Sequence, residues 1–249
     1  MELNFEKRYH EIEKSHFWFK ARRNYIIQLI NLAPRNSSIL DVGCSSGVLL
    51  KELVNKGFEP DNLFGIDISP IAINNCKVNG IKNVMVADAQ NIVLNKKFDI
   101  IIASDCLEHI KNDKEAIKNW FGLLKPNGLL YVFVPAFSLL WSNHDELNMH
   151  YRRYTKKELT KKLNSYNIKL IKSGYWNFTL FMPVLIVRLF SKIPIFKTKN
   201  STGNLYKLPL LNSLFFHLLN FENKILRHLN IPFGISTYCV VKKVKKTHN

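Results

Sequence analysis

Residues Ile39 to Gly47 read Ile-Leu-Asp-Val-Gly-Cys-Ser-Ser-Gly, and no other stretch limits the architecture as tightly. An apolar run enters Asp41, breaks on Gly43 and passes through small residues to Gly47. A helical pattern then opens over Val48-Leu-Leu-Lys-Glu-Leu53. A strand that ends on glycine where a helix begins lets a ligand approach the backbone with no side chain in the way. Gly-x-x-x-Gly alone is a common pattern, so a second signal carries weight: the next apolar run, Leu63-Phe-Gly-Ile-Asp67, also ends on an acid. Asp67 lies 20 residues beyond Gly47 (67 − 47), where a carboxylate that holds a ribose belongs in such a unit. The glycine spacing is not Gly-x-Gly-x-x-Gly, which argues against a dinucleotide oxidoreductase.

Three further motifs follow in order. Val84-Met-Val-Ala-Asp88-Ala89 ends a third strand, and Phe98-Asp-Ile-Ile-Ile-Ala-Ser104-Asp105-Cys-Leu-Glu108-His109 makes a fourth strand and its turn. Leu123-Leu-Lys-Pro-Asn-Gly128-Leu-Leu-Tyr-Val makes a helix-to-strand corner. With these on the page, the chain resembles the class I S-adenosylmethionine-dependent methyltransferases over roughly residues 16–176, in their type 11/12-like small-molecule branch. Ser45 stands where that family commonly has a middle glycine.

The resemblance implies S-adenosylmethionine as cofactor and a doubly wound, Rossmann-like, seven-stranded sheet whose last strand is antiparallel. It implies cofactor contacts from Asp41, Gly43, Cys44, Ser45, Gly47, Asp67, Ile68, Asp88, Ala89 and Ser104. Asp67 would accept from both ribose hydroxyls and Asp88 from the adenine amino group, with strand-end capping as the alternative role of both acids. His16-Phe-Trp-Phe-Lys-Ala-Arg22-Arg23 resembles an N-terminal segment that folds over the cofactor side in many small methyltransferases; alternatively, Trp18 and Phe19 staple a helix to the core.

The periodicity predicts helices over 2–14 and 19–33, then strands near 38–42, 62–67, 83–87, 98–103 and 128–134, with helices near 47–56, 70–78 and 113–124. That alternation argues for a parallel sheet wrapped on both faces. A loop runs from Pro135 to Tyr154, a helix from Lys156 to Leu163 opens behind Thr155, and strands cover 166–176 and Ser236–Lys243. The organisation expected is a single domain. It comprises N-terminal helices (1–36), a cofactor-binding core (37–135), an acceptor-side loop, helix and strand (136–176), a basic apolar helical insertion (177–234), and a last strand with a basic tail (235–249).

Charge divides the chain unevenly. Of the net +17, all resides after residue 150, where 19 Lys and Arg face only Glu158 and Glu222. Such a field attracts phosphates, of nucleic acid or of an anionic membrane; lysine enrichment from biased base composition is the plain alternative. The run Phe178–Phe190 is apolar but too short to span a bilayer, which takes about 20 residues. Leu208–Leu229 is a second amphipathic stretch, and Lys192, Lys197, Lys199, Lys207, Lys224 and Arg227 border the two. Three readings stand side by side: an interfacial surface on anionic lipid, a cap on the sheet, or a dimer face. The polar, acidic start and the four cysteines without a Cys-x-x-Cys pair suit a cytoplasmic protein with reduced thiols, peripheral on the inner membrane face.

Methyl transfer to a hydroxyl needs a group that takes the proton. The candidates are His109, with Asp105 in the same turn, and His150 in the loop His144-Asp-Glu-Leu-Asn-Met-His150-Tyr151-Arg152-Arg153-Tyr-Thr155. A helix-capping or second-shell histidine is the alternative for His109. The His-Tyr-Arg-Arg-Tyr-Thr string resembles a methyltransferase subgroup that accompanies surface-polysaccharide and lipid-linked glycan enzymes. It implies His144, Tyr151, Arg152 and Arg153 as acceptor contacts, with helix-entry arginines on a solvated surface as the plain alternative. No metal is expected, since the histidines lack a supporting ligand set. The expected reaction is O-methylation of a sugar, a glycolipid or another small lipid-associated acceptor. RNA or protein methylation, or cofactor binding without turnover, are the competing readings.

Overall fold

The computed structural model describes residues 3–191 and 209–244. The strands are β1 (Ile39–Val42), β2 (Leu63–Asp67), β3 (Val84–Val86), β4 (Phe98–Ser104), β5 (Leu124–Pro135), β6 (Ile168–Trp176) and β7 (Ser236–Lys243). The helices are α1 (Leu3–Glu13), α2 (Phe17–Ile30), α3 (Val48–Asn55), α4 (Pro70–Val78), α5 (Asp113–Leu123), α6 (Asn143–Leu147), α7 (Lys156–Leu163), α8 (Phe181–Ser191) and α9 (Pro209–Ile225). The chain resolves into two compact units. A sheet unit joins Leu32–Val134, Lys156–Ser173 and Tyr238–Asn249, and a helical unit joins Met1–Asn31, Pro135–Thr155 and Gly174–Thr237.

The strands form a seven-stranded sheet in the order β3-β2-β1-β4-β5-β7-β6. Strand β1 pairs in parallel with β2 and β4, β2 with β3, and β4 with β5, while the last strands run antiparallel. Central strands of this kind are covered on both faces and therefore read as unbroken apolar runs rather than alternating ones. Leu40, Val42, Ile101, Ile102, Val132 and Phe133 are accordingly buried. The direction of winding switches between β1 and β4, and open α/β sheets take their ligands beyond the C-terminal ends of the strands at such a point.

Two segments differ from the sequence reading. Strand β5 begins at Leu124, four residues before the predicted 128 (128 − 124). Leu124 already pairs with Phe98, and the register then slips so that Ile100 faces Leu129. The Lys-Pro-Asn-Gly corner is thus an irregularity inside the strand, turned by Asn127 at φ 65°. The second difference is α6, which occupies part of the stretch read as a loop. Its signal was local: Ser142 and Asp145 form a capping box in which each side chain accepts from the other's backbone end.

The sheet packs closely around Gly65 in β2. A Cβ there would lie 2.8 Å from Cys44 Sγ and 2.9 Å from Leu50 Cδ1. Gly65→Val is expected to lower stability by about 2 kcal/mol through overpacking, read as a lower urea midpoint at unchanged m.

Candidate functional site

The loop between β1 and α3 sits at the switch point of the sheet unit. Gly43, Ser45 and Gly47 all take the left-handed backbone, at φ 76°, 48° and 73°. Ser45 therefore adopts the conformation in which glycine is common, which for a residue with a Cβ costs roughly 1 kcal/mol. Several bonds hold the loop in this shape. The N–H groups of Gly43 and Cys44 both donate to the Ile66 carbonyl at 2.9 Å. Cys76 Sγ donates to the Ser45 carbonyl at 3.0 Å, and Asn79 Nδ2 donates to the Ser46 carbonyl at 2.8 Å.

Asp67 is the hub. One carboxylate oxygen accepts from the Ser45 N–H and the other from the Ser69 N–H, each at 2.9 Å. The strand-end role and the ribose role are therefore compatible, because each carboxylate oxygen can accept more than one hydrogen bond. Ser69 in turn caps α4 by accepting from the Ala72 N–H at 3.1 Å. Beside Asp67, Ile68 is 73% exposed, an apolar side chain with the form of a platform for a planar base. Asp88 is exposed, and its Oδ1 accepts from the Gln90 N–H at 2.8 Å; the Ala89 carbonyl is pinned by the Trp120 indole N–H at 2.8 Å.

The remaining predicted cofactor and catalytic residues of this unit are also on or near the strand ends. Asp41 is buried within β1. Ser104 ends β4, and its hydroxyl donates to Asp105 Oδ2 at 3.2 Å, with Asp105 in a left-handed conformation at φ 53°. His109 closes a short helical turn over Leu107–His109, partly exposed. Cys44 and Cys76 lie with their sulfurs 3.8 Å apart. Their hydrogen bond, burial and nearby carboxylates push the Cys44 thiol far above its usual range. All four cysteines are free and buried.

The predicted acceptor residues are in the helical unit. Asp145 is fully buried and accepts from three directions. Arg153 donates to it through Nε at 2.8 Å and Nη2 at 3.0 Å, and His150 Nδ1 stands 2.9 Å from Oδ1. Burial alone would raise this carboxyl, but the hydrogen bonds of His150 and Arg153 and the guanidinium charge hold it well below the usual carboxylate range. The third arm of Arg153 donates to the Ala136 carbonyl at 3.0 Å. The guanidinium fork is thus occupied by Asp145 and the backbone, which corrects the reading of Arg153 as a solvated or acceptor-gripping arginine. Arg152 lies 5.8 Å from the ring of exposed Tyr151. Burial, helped by the charges of His150, Arg188 and Arg153 against the pull of Asp145, pushes His144 down to about 3. His144 is therefore neutral at ordinary pH.

The helical unit also fixes the N-terminal aromatic segment. Trp18 packs edge-on to Trp176 at 4.8 Å, and Phe19 does the same to Tyr9. Arg22 lies over the Trp176 ring at 4.2 Å and donates to Ser236 Oγ at 2.6 Å. These contacts support the staple role of Trp18 and Phe19.

Residues 17–173 match the family model described as a methyltransferase domain. The chain belongs to this methyltransferase-domain family. A curated relative, the ubiquinone biosynthesis O-methyltransferase of Rickettsia felis, is 32% identical over 119 residues, or 45% of this chain and 48% of the relative. That of Histophilus somni is 29% identical over 122 residues, covering 45% and 50%. The methyltransferase chain spans about half the length of the curated relatives it matches. Among solved structures, a chain from the complex of the Haloferax volcanii Trm112 methyltransferase activator with a methyltransferase shares the fold at TM-score 0.65 and 14% identity, over 99% of this chain and 97% of that one. The plantazolicin methyltransferase BpumL, solved with S-adenosylhomocysteine, does so at TM-score 0.58 and 17% identity, over 96% and 88%. These similarities bear out the Rossmann-like methyltransferase fold.

Two buried groups in the helical unit give measurable consequences. Removing the charge of Asp145 leaves Arg153 buried without its counter-ion, so Asp145→Asn should cost about 3 kcal/mol or more, measured by urea unfolding. His144 binds a proton in the unfolded chain near 6.5 but in the folded chain only near 3. Between those values the unfolded state holds more protons, so stability falls as pH drops from about 6.5 to about 3. His144→Gln should flatten that slope by close to one proton.

Proposed function

We propose that the chain transfers a methyl group from S-adenosylmethionine to a hydroxyl oxygen of a small acceptor. The observation that carries this reading is the loop left-handed at Gly43, Ser45 and Gly47 and tied to β2 by Asp67, in a chain of the methyltransferase-domain family. The residues present fit a nucleoside with an amino-acid tail. The loop turned at Gly43 and Gly47 would offer its backbone to the methionine part, Asp67 would accept from the two ribose hydroxyls, and Ile68 and Asp88 would serve the adenine by its face and its amino group. When bound, S-adenosylmethionine supplies a methyl already made electrophilic by its sulfonium. The protein's share is alignment, for which effective molarities on the order of 10⁵ M or more are attainable, and removal of the acceptor's proton.

Oxygen as the acceptor atom is supported by relatives named O-methyltransferases. A sugar, a glycolipid or another small lipid-associated molecule is the acceptor class we infer, supported by the His150-Tyr-Arg-Arg-Tyr-Thr155 string. His109 and His150 are the two bases to be distinguished. The Asp145 carboxylate can only accept, so Nδ1 of His150 faces it as the donor and Nε2 is the ring nitrogen turned to the role of base.

The test uses S-adenosylmethionine labelled on its methyl group, incubated with the full chain and fractionated glycolipids and phenolic or sugar acceptors. Label is expected in an acceptor fraction as a base-stable ether. Replacing the true base by alanine should reduce kcat by about 10² or more, with the other histidine's variant near wild type. Label that appears only in RNA or protein, or in no fraction, would contradict the proposal.

A further inference from the structure

Helix α8, Phe-Met-Pro-Val-Leu-Ile-Val-Arg-Leu-Phe-Ser, is apolar on every side apart from Arg188 and Ser191. A helix with this composition is normally enclosed in a core or in lipid. Here none of its residues from Phe181 to Phe190 is buried. Met182, Ile186 and Leu189 are exposed at spacings of four and three, and Val187 and Phe190, adjacent to that stripe, are 63% and 56% exposed. At eleven residues the helix is about 16 Å long. No helix among the described residues is long and apolar enough to cross a membrane. An amphipathic or apolar helix of this length lies in an interface and does not span it.

The entry to α8 is rigidly built. Glu222 of α9, fully buried, accepts from the backbone N–H groups of Asn177, Phe178 and Thr179 and from the Thr179 hydroxyl. Phe181 at the start of the helix packs on Phe233 at 5.2 Å. The start of the helix is therefore held in place. Helix α9 adds a second stripe: Leu211, Leu214 and Phe221 are exposed along it, whereas Leu219, Glu222, Asn223 and Leu226 are buried on its other side or just past its end.

Charge indicates what covers the surface. After Glu158 the chain has a single carboxylate side chain, Glu222, and that one is buried. The exposed basic groups Lys224 and Arg227 lie at the end of α9, and Lys192, Lys197, Lys199 and Lys207 occur in the sequence between the two helices, outside the described residues. An exposed apolar helix in a stretch of chain this rich in cations complements an anionic lipid surface. A protein partner with an acidic rim is the competing occupant.

We propose that α8 docks the protein on anionic membranes by burying Val187, Phe190 and their neighbours among lipid headgroups, with Lys224 and Arg227 on the lipid phosphates. The proposal stands apart from methyl transfer, because docking needs neither donor nor acceptor. The probe is flotation of the full chain with phosphatidylcholine vesicles, with and without about 30 mol% phosphatidylglycerol. Light scattering records the oligomeric state alongside. The wild type should float with the anionic vesicles at least about tenfold better than with neutral ones, and added salt should weaken this. Val187→Ser/Phe190→Ser, both at exposed positions, should keep the circular dichroism and melting temperature of the wild type yet lose flotation. Equal flotation of wild type and variant, or wild type left at the bottom of the gradient with anionic vesicles, would overturn the proposal. A concentration-dependent dimer that the variant abolishes, without flotation, would assign the surface to a second copy instead.

Discussion

A single carboxylate reaches three parts of the sheet unit at once, alongside the bonds that Ile66, Cys76 and Asn79 make to the same loop. Asp67 ends β2, holds the Ser45 N–H of the loop after β1, and holds the Ser69 N–H at the start of α4. The left-handed turns at Gly43, Ser45 and Gly47 are strained or entropically costly in isolation, and this fastening is what makes them a fixed surface. A surface fixed before a ligand arrives loses little freedom on binding it. The same carboxylate can still accept hydroxyl donors, so holding the loop and holding a ribose are two uses of one group.

Two fully buried carboxylates organise the helical unit in the same manner, each against a different compensation. Asp145 is balanced by charge, with Arg153 bidentate and His150 beside it. Glu222 is balanced by dipoles, through three backbone N–H groups and a hydroxyl. Burial raises the Glu222 carboxyl despite those donors, whereas Asp145 is held low. The difference follows from the guanidinium, which favours the ionised form more strongly than neutral donors can. Both acids fix segments that their sequence context left as loop: the turn into α6 and the entry to α8.

Much of the sheet was legible because its rules are local. Apolar runs marked β1 and β4, acids and glycines marked their ends, and Ser69-Pro70 marked the start of α4 by cap chemistry. What escaped was decided by partners distant in sequence. The early start of β5 depends on Phe98 as a pairing partner. The role of Arg153 depends on a carboxylate eight residues away (153 − 145), brought opposite by α6. Glu222 looks like an ordinary helix-surface acid until the chain near Asn177 is folded against it. Periodicity carries no information about such pairings, although the Ser142-x-x-Asp145 spacing was a readable sign of α6.

The account turns on whether the Gly43–Gly47 loop and Asp67 form a nucleoside site, and isothermal titration of the full chain with S-adenosylmethionine tests this most directly. It predicts saturable one-to-one binding that is competed by S-adenosylhomocysteine and weakened at least about tenfold, or roughly 1.4 kcal/mol, by Asp67→Ala. Absence of heat at millimolar cofactor, or binding that Asp67→Ala leaves unchanged, would contradict it.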